Sequence, residues 1–139
     1  AMCVGGYGVP AASPYSNGPG SRICITETWN GTSWTHVSGT LNLGRISAAL
    51  SGTTTAAIIA GGSTGDPAPP TTTTATAETW DGSSWATVGS LGAAEEEMGS
   101  SRTGGNTTAL SFGGNPGGSI SATEEWTDPI YTIKTVTTS

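Results

Sequence analysis

The chain has 139 residues, a formal net charge of -6 and only four Lys or Arg, which stands against nucleic acid as a partner, because phosphate recognition draws on basic side chains to displace counterions. Only 34% of the residues are apolar and 10% charged, while 22 are glycine and 42 are serine or threonine. That mixture suits short strands and tight turns rather than helices, since Thr is stiff at its branched carbon and Gly loses much backbone entropy on ordering.

No apolar run approaches the roughly 20 residues that a membrane-spanning helix needs, so no membrane insertion of that kind is expected. The first residues also lack a charged stretch followed by an apolar one.

In chain order, Met2-Cys3-Val4 is an apolar run closed by Gly5-Gly6, and it reads as the second strand of a repeat whose first strand is missing. That suggests either a piece of a longer polypeptide or closure by another chain. A connection of 20 residues, Tyr7 to Thr26, leads to a third strand that runs into Trp29. Asn30-Gly31 then predicts a two-residue type I′ hairpin, which needs positive φ at both central positions. A fourth strand starts at Trp34. Alternation along the third strand puts Glu27 and Trp29 on one face, and a two-residue loop would set Glu27 opposite Trp34.

The pattern then repeats. Trp29-Asn30-Gly31-Thr32-Ser33-Trp34 returns 51 residues later as Trp80-Asp81-Gly82-Ser83-Ser84-Trp85, and a diverged copy from Trp126 to Tyr131 follows after another 46. Weak first strands are expected around Ile46 to Leu50 and Met98 to Arg102. Second strands end at Gly61-Gly62 and Gly113-Gly114, and a glutamate stands two residues before each leading Trp, at Glu27, Glu78 and Glu124. A period near 50 with several strands per repeat falls in the range of propeller blades. The expected fold is all-β and antiparallel, with a partial blade at 1–38 (strands two to four), a blade at 39–89 and a blade at 90–139.

The bland role for Trp29, Trp34, Trp80, Trp85 and Trp126 is packing between neighbouring sheets, each ring burying a large area while its N–H finds a carbonyl; the sharper role is stacking on sugars. Recurrence in register favours packing, because a ligand site more often breaks a repeat than obeys it. The repeated glutamate is expected to accept from backbone amides or from an arginine such as Arg45 rather than to act as a catalytic acid.

One connection absorbs nearly all the length variation: 20 residues in the first copy, 15 in the second (Ser63 to Ala77) and 9 in the third (Asn115 to Thr123). Variable loops on a rigid scaffold are where binding usually resides, so Tyr7, Tyr15, Asn17, Asp66, Thr72 and Asn115 are the candidate binding residues. Counting from the landmarks pairs Cys3 with Cys24 on adjacent strands. A disulfide there would staple the longest loop and imply an oxidising environment; two reduced, half-buried thiols are the alternative. Their spacing is not that of a CxxC pair and His36 is the only histidine, so no metal site is expected. Neither a nucleophile elbow nor a phosphate-binding loop occurs, and no catalytic residue or cofactor is assigned.

The Gly pair, the aromatic of the third strand and the later Trp resemble the kelch repeat. The run Glu27 to Trp34, with Leu41-Asn42-Leu43-Gly44-Arg45 downstream, is similar to kelch-like arrays in virion and tail-associated proteins of marine bacteriophages. Three departures stand out: the leading aromatic is Trp where kelch usually has Tyr, the gap to the second aromatic is one shorter, and the third copy reads Thr127-Asp128-Pro129. The resemblance implies a non-enzymatic binding or structural scaffold on a virion surface, with other virion proteins, copies of itself or a cell-surface glycan as partners. A secreted carbohydrate-binding propeller, or a fragment of a larger extracellular enzyme, is the alternative.

Overall fold

The computed structural model describes residues 1–7, 22–64, 72–115 and 121–127. Among the described residues there are ten strands and no helix: β1 Met2–Val4, β2 Thr26–Trp29, β3 Trp34–Val37, β4 Ala49–Gly52, β5 Ala57–Ala60, β6 Ala77–Trp80, β7 Trp85–Val88, β8 Gly99–Ser100, β9 Thr108–Phe112 and β10 Thr123–Thr127. They form three antiparallel sheets, with orders β1-β2-β3, β4-β5-β6-β7 and β8-β9-β10. Strands two, three and four of the first two repeats, and strands two and three of the third, stand where the sequence predicts them; the fourth strand expected in the third repeat lies outside the described residues. The first strands begin slightly later, at Ala49 and Gly99.

The register repeats with the sequence. Cys3 faces Glu27, Ile59 faces Glu78 and Ser111 faces Glu124. Trp29 pairs with Trp34 and Trp80 with Trp85, their ring centroids 5.6 and 5.4 Å apart.

That pairing corrects the expected turn. The two central residues are Gly31-Thr32 and Gly82-Ser83, one position later than Asn-Gly and Asp-Gly predict, and only the glycines have positive φ, 106° and 100°. The preceding side chain replaces the turn's carbonyl. Asn30 Oδ1 accepts from the amides of Thr32 and Ser33 at 2.9 and 3.0 Å, and Asp81 Oδ1 accepts from those of Ser83 and Ser84, both at 2.8 Å. These are Asx turns, for which Asn and Asp are suited by a short side chain that reaches its own backbone two residues on. The shift by one also sets Glu27 opposite His36 rather than Trp34.

Two apolar layers hold the sheets together, one on each side of the second sheet. Ala57, Ile59, Trp80, Trp85 and Leu41 form the first, packed against Met2, Val4 and Val37 of the first sheet. Ile58, Ala60 and Ala77 form the other, packed against Ala109 and Trp126 of the third. Alternation at period two sends neighbouring residues of β5 into different layers. Trp80 and Trp85 are 1% and 6% exposed. Their N–H groups are satisfied: Trp80 Nε1 donates to the carbonyl of Thr54 at 3.0 Å, and Trp85 Nε1 reaches Thr26 Oγ1 on the first sheet at 2.8 Å. Packing between sheets is thus the role of this pair. Trp34 departs from it, being 50% exposed, because its face of the first sheet points away from the other two.

Candidate functional site

The connections that leave each Gly pair are anchored at their bases. Tyr7 bridges to Arg22 across the first and Ser63 to Thr73 across the second, while the Thr64 amide donates to the Thr72 carbonyl at 2.9 Å. The third is tied at its start, where the Asn115 amide donates to the Glu96 carbonyl at 2.8 Å. The first two bases also touch each other: Arg22 Nη2 donates to Ser63 Oγ at 3.3 Å, and the Arg22 guanidinium lies 5.5 Å from the centroid of the Tyr7 ring. The bases of two connections of different length are therefore joined to each other.

Arg22 is the residue that sequence reasoning undervalued. It is buried, and its Nε has no hydrogen-bond partner. Burying an arginine requires compensation by hydrogen bonds or aromatic faces, here from Ser63 and Tyr7. Its place two residues before Cys24 at the end of a long loop gave no such hint. Of the candidate binding residues, the structure places Tyr7, half exposed, and Thr72 and Asn115 at the loop bases; Tyr15, Asn17 and Asp66 lie outside the described residues.

The repeated glutamates work as receivers in the connections between sheets. Glu78 Oε2 accepts from the Asn42 amide at 2.7 Å and from Asn42 Nδ2 at 3.0 Å, and its Oε1 accepts from the Leu43 amide at 3.2 Å and from Arg45 Nη2 at 2.6 Å. Arg45 spends its other donors on the carbonyls of Leu43, Gly61 and Thr76. Both side chains are fully buried. Burial pulls Arg45 below its usual pKa, and the neighbouring Glu78 opposes that pull.

In the third sheet Glu124 Oε2 accepts from the Gly92 amide at 2.8 Å, but the position of Arg45 is taken by Glu95, which is itself buried. The equivalence is fixed by the backbone: the Gly6 amide donates to the Arg45 carbonyl at 3.0 Å and the Gly62 amide to the Glu95 carbonyl at 2.7 Å. Burial first, and then the charge of Glu124, push the Glu95 carboxyl above the usual glutamate range. Three glutamates in a row, Glu95 to Glu97, would ordinarily form a solvated surface, yet the first of them is buried.

The glycine pairs are required by this docking. Gly61 has φ of 65°, which L side chains rarely adopt, and a Cβ there would stand 2.6 Å from the Glu95 carbonyl oxygen.

The expected neighbourhood of the two cysteines is not observed. Cys3 faces Glu27, and the Gly5 amide bonds to the Ile25 carbonyl at 2.9 Å, so Cys24 falls three residues further along the ladder. Both thiols are free, Cys3 exposed and Cys24 half buried. Burial raises the Cys24 pKa, with a further rise from Glu78. Among the described residues no group of three or more His, Cys, Asp or Glu is placed to hold a metal ion.

No family model and no curated protein matches the chain. Among solved structures, one titled "Structure of YjhT" superposes with a TM-score of 0.66 at 14% identity, over 94% of this chain and 40% of that one. At this identity the likeness concerns the fold alone. The chain spans well under half the length of that neighbour.

Proposed function

We propose that the three sheets are blades of a kelch-like β-propeller and that the protein is a non-enzymatic adhesion or structural module, a fibre, spike or decoration component of a virion surface. The observation that carries this reading is the contrast between scaffold and loops. The sheets keep one register through three copies, while the connections between their second and third strands run to 20, 15 and 9 residues. Selection for a ligand acts on such loops, and selection for packing acts on what lies beneath them. Trp80, Trp85 and Trp126 are occupied in packing and Glu78 and Glu124 in backbone hydrogen bonds, which leaves the loops to contact host receptors or neighbouring subunits.

A carbohydrate-binding propeller is the second reading. It is favoured by Tyr7, a half-exposed aromatic at the loop base with Arg22 against its ring, since sugars dock on open aromatic faces.

Exchanging residues 65–71 and 8–21 for Gly/Ser linkers of equal length tests both. Binding to host cells or to particle subunits should be lost while the unfolding midpoint changes little. Binding that survives both exchanges overturns the loop assignment. Glycan-array binding abolished by Tyr7→Ala selects the second reading over the first.

A further inference from the structure

Each sheet has two faces, and residues paired across strands share one. The face of the second sheet that carries Trp85 packs on the opposite face of the first sheet, the one that carries Thr26, Met2 and Val4. The same register identifies the two faces that look outward from the array. The first sheet turns Trp34 outward, the equivalent of Trp85. The third turns outward Leu110, Phe112 and Thr123, the equivalents of Met2, Val4 and Thr26. Trp34, Leu110 and Phe112 are 50%, 43% and 50% exposed, whereas Trp85 is buried and Met2 and Val4 are partly buried against the first apolar layer. The two ends thus carry the two halves of a joint that is already assembled once within the chain.

The side chains at this joint are matched. Trp85 meets Thr26, whose hydroxyl takes the indole proton. At the next joint the threonine position is Ala77, and the third repeat has Tyr131 in its sequence where the others have Trp34 and Trp85. Trp with Thr is thus the pair seated at the first internal joint. The same pairing is offered by Trp34 with Thr123, on the two outward faces.

We propose that these faces mate between two copies of the chain, head to tail, with Trp34 of each copy seated on Leu110, Phe112 and Thr123 of the other. The proposal rests on the propeller reading given above, though not on what the loops bind. Two copies bring six sheets, within the roughly four to eight units of closed propellers. Contacts of this unlike-faced kind form a ring when the rotation closes.

Native mass of the full chain tests it. The expected species is a dimer, twice 13.8 kDa. Trp34→Asp and Phe112→Asp each spoil one face and should give mostly monomer, with the circular dichroism of the β fold retained. Mixed together, they should recover a species of twice the monomer mass, because each supplies the face the other lacks; a chain carrying both changes should join neither. If either Asp variant fails to fold, Trp34→Ser and Thr123→Arg take their places. Wild-type monomer at high micromolar concentration overturns the proposal. So does a dimer whose single-face variants do not complement, which would mean that like faces meet, or an open series of larger species, which would mean that two copies do not close. Loss of ligand binding on loop exchange leaves the mass untouched, so failure of the functional reading is distinguishable from failure of this one.

Discussion

At the entrance to the second sheet a buried arginine meets a buried glutamate; at the same place in the third, Glu95 faces Glu124. The backbone at the two sites is nearly the same, down to Ser47 and Glu97, which both take left-handed φ of 55° and 61°. What differs is the charge balance. Arg45 and Glu78 satisfy each other and five backbone groups, whereas among the described residues Glu124 accepts one amide and has no cation beside it. The fold tolerates this because a carboxyl, unlike an arginine, can shed its charge by holding a proton. A repeat can therefore keep its geometry while exchanging a permanent charge for a titratable one.

The largest effect expected from breaking this contrast is at Arg45. Arg45→Met leaves Glu78 buried without its cation and should cost about 3–5 kcal/mol in urea unfolding, whereas Glu95→Met should be neutral or stabilising at pH 7. Equal losses for the two changes would remove the contrast.

Converting the third site into the second should come next. Glu95→Arg offers a guanidinium to Glu124 and to the carbonyls of Gly113 and Ala122, and is expected to add about 2 kcal/mol through charged hydrogen bonds. The reverse conversion, Asn42→Gly, removes the side-chain bonds to Glu78 Oε2 and the Trp85 carbonyl and should cost about 1 kcal/mol.

The pH dependence separates the sites without mutation of the scaffold. The Glu95 pKa is raised in the folded protein, so folding favours its protonated form. The associated stability is fully present below the unfolded glutamate pKa, about 4.3, and is lost as pH rises through the higher folded value. Glu95→Gln should flatten the stability profile on that side, as read by thermal unfolding across pH; an unchanged profile would place the proton elsewhere.

The smallest effect is at the exposed turn. Hydrogen bonds from the amides of Ser84 and Ser83 hold Asp81 down to about 2, so its contribution is present above the unfolded pKa and fades as pH falls towards 2. Asp81→Ala should lower the unfolding midpoint slightly at pH 7 and not at all near pH 2. Asn30, which makes the same turn without a charge, should show no such convergence when changed to Ala.

Strand order and the hairpins were legible because they rest on local signals: apolar runs, paired glycines and a Trp at each hairpin arm. The turn frame was not, since Asn-Gly signals a hairpin without revealing that the Asn side chain takes over a carbonyl's task. Glu78 as an acceptor and Arg45 as its donor were also readable, because a repeated glutamate in a chain with four basic residues has few cations to meet, although the two stand 33 residues apart. The cysteine pairing failed by three positions, because counting from the Gly pair across a 20-residue loop does not see the ladder. Arg22 was hidden for the same reason. Its partners lie across that loop, at Tyr7, and in the next repeat, at Ser63.

The segment from Leu41 to Ile46 belongs to two sheets at once. It gives the Leu41 amide to Cys24 and takes the Gly6 amide on one side, and it grips Glu78 on the other. A cut or fusion placed at the visible edge of a sheet, just after Val37, would sever shared mortar from one of its bricks. Shuffling of such modules, in nature or in the laboratory, should therefore carry residues 41–46 together with both sheets they join.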